Sequence, residues 1–258
     1  MKVSALQKNR KSGFTLIELM VVIAILVSLA AIGSGPVLDH LNDGERQKAS
    51  SNLKSVFTIL QQFKSDHNNF PCDTTAEEIM ERYPELNFGP VTGSTSNDYL
   101  RQVFYDSQKN KSEKPFFAKL NVAGKTVHEG DEKRAKGQAL QRGENGMAYI
   151  VRKNPDDPNM KLGVIETTSP LAICGVYPSA TPYAGNELAF DMSSFRGHAF
   201  LLSVDGSVKD LEMNLAKDES NSEKGFYVDK QGKRSSIFPE DDNGNDPSAN
   251  FIILTPDM

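Results

Sequence analysis

The residues predict an α+β fold: a long N-terminal α-helix followed by a globular domain built on an antiparallel β-sheet. Three patterns carry that expectation. Residues 19–38 are twenty positions without a formal charge, enough at 1.5 Å per residue to cross a hydrocarbon core of about 30 Å. Ala49, Leu53, Val56, Phe57, Leu60 and Phe63 then recur at steps of three and four, which places them on one face of a continuing helix. Beyond residue 145, short apolar and β-branched runs alternate with Gly, Pro, Asn and Asp, the punctuation of an antiparallel sheet.

The helix is expected over residues 14–66, apolar all round in 14–38 and amphipathic in 39–66. Gly33, Gly35 and Pro36 predict a bend near the end of the apolar half. Asn68, Asn69, Phe70 and Pro71 are turn chemistry and stop it. A short helix over 75–83 follows, with Thr75 as N-cap and Pro84 as stop, then a turn or two of helix over 98–104. Residues 121–144 carry Lys, Glu and Gly with few apolar positions and read as loop. Strands are expected at 147–152, 162–165, 187–190, 198–204, 207–211, 225–228 and 251–254. Asp205 and Gly206 predict a two-residue type I′ hairpin turn, and residues 229–232 a second turn.

Charge sets the orientation. Lys2, Lys8, Arg10 and Lys11 precede the apolar run with no acid among them, so the positive-inside rule keeps the N-terminus cytoplasmic and sends the remainder across. The chain has 258 residues and a net charge of −5; removing the first thirteen residues takes four basic groups and leaves −9. No basic cluster remains for phosphate contacts, which argues against nucleic acid as a partner. Roughly 190 residues remain beyond the helix, the size of one domain.

One residue departs from the apolar pattern. Glu18 lies at the head of the span, where an ionised carboxylate costs about 2.5–3.5 kcal/mol and calls for a cationic partner. Gly13, Phe14, Glu18 and the apolar residues after them, behind a short basic leader, resemble the cleavage and methylation signal of type IV prepilins and type II secretion pseudopilins. The resemblance covers about the first fifth of the chain. It implies a lollipop architecture, with a leader at 1–13, a helix at 14–66 of which 14–38 is transmembrane, and an extracytoplasmic domain at 67–258. It implies that prepilin peptidase cuts between Gly13 and Phe14, that Phe14 becomes an N-methylated terminus, and that Glu18 pairs with the Phe14 amine of a neighbouring subunit. The implied partners are other copies or homologous pilin-like subunits, an inner-membrane assembly platform of a secretion or pilus system, and inner-membrane lipid; the implied location is the bacterial inner membrane with a periplasmic domain, then a filament. Residues 195–208 resemble a His-then-Asp-Gly hairpin of pilin-like proteins from planctomycete and verrucomicrobial bacteria.

Other readings stay open. The same N-terminus suits a secretory signal cut near Ala31, which would release a secreted or membrane-anchored periplasmic binding domain. A type IV pilin or a minor adhesive pilin of a surface fibre is the alternative within the resemblance, with the acidic C-terminal loop and the Phe70–Pro71 junction favouring a pseudopilin.

No catalytic motif is present, and His40, His67, His128 and His198 are scattered without metal spacing, so no enzyme is expected and no cofactor is required. His198 and Asp205 are the pair that a hairpin would bring together as acid and base, although turn geometry alone accounts for Asp205. Cys72 and Cys174 are a candidate disulfide, closing a loop of about one hundred residues worth ~4.7 kcal/mol in the chain-entropy model. Residues 240–246 pack carboxylates and amides around Gly244 without EF-hand spacing, and Asp241, Asp242 and Asp246 are candidate calcium ligands. The resemblance adds to that candidate, since major pseudopilins carry calcium in a C-terminal loop.

Overall fold

The computed structural model describes residues 14–85, 88–105, 112–122, 124–131, 139–165, 168–185, 187–240 and 244–258, apart from the side chains of 29–39, 121 and 213. Two compact units follow one another along the chain, Met1–Asp43 and Gly44–Met258. Helix α1 is Leu16–His67.

In the first unit the described side chains of α1 from Leu16 to Ser28 are all exposed, as is Phe14 before it. Among the described residues no helix is long and apolar enough to cross a membrane. The side chains of residues 29–39, which take in the second half of the expected span 19–38 with Gly33, Gly35 and Pro36, lie outside the described residues.

In the second unit the predicted apolar face of α1 is the buried one. Ala49, Leu53, Val56, Leu60 and Phe63 join one apolar cluster with the central strands, and Phe57 packs at its margin. Burial, rather than propensity, fixes this half of the helix. Asn52 Nδ2 donates to the Phe117 carbonyl at 2.8 Å, a second tie between helix and domain. The helix stops at His67 because Asn68 takes a left-handed φ of 57°, the conformation asparagine tolerates beyond a helix end.

Helix α2 is Asp73–Arg82, starting earlier than the Thr75 cap predicted. Cys72 is the N-cap and Thr75 sits in the first turn, its hydroxyl accepting the Cys72 N–H at 2.9 Å. Helix α3 is Ser96–Leu100, continued by a 3₁₀ turn at Arg101–Phe104. The stretch read as loop holds a small hairpin, β1 (Asn121–Val122) with β2 (Lys125–Thr126), turned by Gly124 at φ 77°.

Ten further strands follow. They are β3 (Met147–Lys153), β4 (Lys161–Leu162), β5 (Pro170–Cys174), β6 (Tyr183–Ala184) and β7 (Phe190–Asp191). After them come β8 (Phe200–Ser203), β9 (Val208–Asp210), β10 (Leu215–Lys217), β11 (Lys224–Tyr227) and β12 (Phe251–Leu254). The main sheet has seven strands in the order β6-β12-β3-β5-β8-β9, with β4 also on β3, and all its pairings are antiparallel. A three-stranded sheet, β10-β11-β7, is antiparallel too.

The hairpin between β8 and β9 corrects the expected type I′ turn. Gly206 donates to the Ser203 carbonyl at 2.9 Å and Ser203 N–H reaches the Ser207 carbonyl at 3.0 Å. Of the two residues only Gly206 has a positive φ, 85°, so the turn is type I followed by a glycine bulge. Residues 229–233 repeat the pattern, with Gly232 at φ 79°.

Candidate assembly site

Thr15 and Glu18 build the start of α1. The Thr15 N–H donates to Glu18 Oε2 at 2.7 Å, the Thr15 hydroxyl donates to the same oxygen at 2.9 Å, and the Glu18 N–H returns to Thr15 Oγ1 at 3.3 Å. This is a complete capping box, in which Thr15 and Glu18 satisfy each other's otherwise orphaned N–H groups. The sequence carries the signal for this box as Thr-x-x-Glu ahead of an apolar run, a local role for Glu18 beside its membrane cost and expected pairing.

The surroundings are apolar and unburied. Phe14 is 86% exposed, and Leu16, Ile17 and Leu19 to Val22 follow it into solvent. A shallow groove of about 320 Å³ lies beside Glu18, lined by Phe14, Ile17, Val21 and Val22. The arrangement presents one carboxylate at the head of an apolar helix, next to the residue whose amine cleavage would free. Gly13, the other half of the processing junction, lies outside the described residues.

Asp241 and Asp242 lie outside the described residues. Asp246 caps a 3₁₀ turn, Pro247–Asn250, by accepting the Ser248 N–H at 2.8 Å. Two of the three candidate calcium ligands therefore lie outside the described residues, and among the described residues no group of three His, Cys, Asp or Glu could hold a metal.

Cys72 and Cys174 are both free and buried, so the pairing considered for them is not made. Cys72 Sγ lies 3.0 Å from Thr74 Oγ1 at the start of α2, while Cys174 pairs with Met147 and Phe200 inside the main sheet. Burial pushes the Cys174 thiol pKa well up, which keeps it protonated and inert.

His198 does not meet Asp205. Its Nδ1 is 2.8 Å from Asp210 Oδ2 and its Nε2 is 3.1 Å from Glu212 Oε1, so the ring ties β9 to the turn after it. Asp205 accepts the Ser207 hydroxyl at 2.7 Å and the Ser207 N–H at 2.9 Å, and these bonds hold its carboxyl below the usual range.

A capped apolar helix leading to an α+β domain defines a pilin-like subunit, a structural protein and not an enzyme. The prokaryotic N-terminal methylation motif matches residues 8–34. The chain is 39% identical over 79 residues to the type II secretion system core protein G of Aeromonas hydrophila, covering 31% of this chain and 55% of that protein. It is 30% identical over 105 residues to core protein G of Pseudomonas aeruginosa, covering 41% of this chain and 73% of that one. The type IV major pilin protein PilA of Myxococcus xanthus is 28% identical over 184 residues, 70% of this chain and 78% of its own length. No solved structure matches. The chain belongs to the family of type II secretion core protein G pseudopilins.

Proposed function

We propose that the chain is a structural subunit of a type II secretion pseudopilus. Its precursor is a single-pass inner-membrane protein with a cytoplasmic basic leader and a periplasmic domain. Prepilin peptidase cuts between Gly13 and Phe14, and an inner-membrane platform assembles the product with other pilin-like subunits. The observation that carries the reading is Glu18, held in the first turn of an exposed apolar helix beside Phe14. In the assembled state the carboxylate exchanges the Thr15 donors for the Phe14 amine of a neighbour, a stronger, charge-assisted contact in an apolar interior. The apolar side chains that face solvent in the single chain pack between helices.

Glu18→Ala tests this reading. The variant is cleaved like the parent and assembles poorly; normal filaments from it would contradict the pairing. The PilA match, which spans more of this chain than those to core protein G do, supports a second reading as a type IV pilin. Secretion without surface fibres in a deletion and complementation experiment separates the two.

A further inference from the structure

Charge is unevenly placed on the second unit. A groove of about 480 Å³ lies between α2, β4 and the residues around the start of α3. Three carboxylates line it, Asp73, Glu77 and Asp157, against one ammonium, Lys161. Lys161 Nζ is drawn onto the Tyr99 ring, 5.6 Å from its centroid, and Asp73 is fixed at the start of α2 by the Tyr99 hydroxyl at 2.6 Å and the Lys161 N–H at 2.7 Å. Glu77 is exposed, and nothing among the described residues pairs with its carboxylate. Met80 and Met160 also line the groove, and Met80 is 51% exposed. Among the described residues of the second unit, Ile165 is the other large apolar side chain left in solvent.

The opposite charge stands on the turn after β11. Lys230 and Lys233 are exposed, with side chains unpaired among the described residues, and Arg234 lies over the Phe226 ring at 4.0 Å. Asp229 holds the turn in shape by accepting the N–H groups of Gln231 and Lys233, both at 2.9 Å, and the tip is open, since nothing lies within 4 Å of a Cβ on Gly232. Groove and turn belong to opposite flanks of β3. At Arg152 that strand pairs with β4 on one side and β12 on the other, and Phe238, shortly after the turn, stacks on Phe251 of β12 at 4.3 Å. A turn bearing two lysines supplies ammonium groups for the carboxylates and methylene stems for the methionines. Because the two surfaces differ and lie apart, a contact between them is head-to-tail and can repeat from copy to copy. We infer that the turn at 229–234 of one copy docks in the groove of Asp73, Glu77 and Asp157 on the next. The inference rests on the filament reading and adds to it a contact between domains.

Charge reversal in the full chain, in cells that carry the assembly platform, tests it. Glu77→Lys and Lys233→Glu change side chains that make no bond within the chain. Each should lower the yield of sheared filaments about fivefold with an unchanged melting curve, and the two reversals in one chain should restore it. Copies carrying Glu77→Cys and Lys233→Cys, expressed together, should form a disulfide-linked dimer under a mild oxidant, which decides the matter if a reversal variant has not folded. Filaments unchanged by both single reversals, a double variant as poor as the singles, or a Glu77→Cys copy that crosslinks to a different protein and not to Lys233→Cys would overturn the contact and leave the filament reading standing. No filaments from the parent would overturn both.

Discussion

Thr15 and Glu18 make the same reciprocal contact as Thr95 and Asp98, where the Thr95 N–H and hydroxyl reach Asp98 Oδ2 at 3.0 and 2.8 Å. One box opens a short helix inside the domain, and the other opens the helix proposed to assemble. The Glu18 carboxylate therefore already has two donors in the single chain, which the proposed pairing with a neighbour's amine would displace. Thr15→Val removes the hydroxyl and should cost the helix start about 0.5–2 kcal/mol. Faster hydrogen exchange at the Leu19 amide, in the detergent-solubilised chain, checks it.

Gly206 and Gly232 occupy equivalent turn positions with different surroundings. A Cβ on Gly206 would lie 2.5 Å from Phe57 Cε1, whereas nothing lies within 4 Å of one on Gly232. Both Ala variants incur left-handed strain of about 1–2 kcal/mol, and Gly206→Ala should lose more because the hairpin must lift off α1. Denaturant midpoints of the two variants measure the difference.

Leu53 is fully buried at the centre of the α1 face. Leu53→Ala should cost about 2–5 kcal/mol. Tyr149→Phe would leave the buried Pro71 carbonyl, now 2.9 Å from the tyrosine hydroxyl, without that donor, a loss of about 1–3 kcal/mol. Urea unfolding of each variant against the parent gives both values.

Glu113 is buried and accepts the N–H groups of Asp131 at 3.1 Å and Leu140 at 3.2 Å. Burial raises its pKa, against the pull of those bonds and with the Glu144 charge adding to the rise. A carboxyl raised in the folded state contributes stability fully below its unfolded value and loses it as pH rises through the folded value. The melting temperature of the parent should gain on that of Glu113→Gln as the pH falls from neutral into the carboxylate range. A parent that loses ground would reverse the sign.

The two thiols should be unreactive in the native chain, since both are buried. Ellman's reagent should find none before denaturation and two after it. A mass unchanged by alkylation without reductant would instead indicate a bond.

The sequence made α1 legible because its periodicity and its burial have one cause, the face that meets the sheet. Strand β12 was legible to the residue, Phe251–Leu254, through four apolar positions between Asn250 and Thr255. Strand β5 was not, since Leu171 to Cys174 are buried on both sides of the sheet and Pro170 opens the strand, so neither alternation nor a clean start marks it. Cys72 displaced Thr75 as the α2 cap because Thr75 serves the helix from inside its first turn.

The mass of the chain purified from its cells tests the proposed assembly most directly. A terminus at Phe14 carrying one methyl group is the expected result, because it alone provides the amine for Glu18. A terminus at Met1, or one near Ala31, would contradict it.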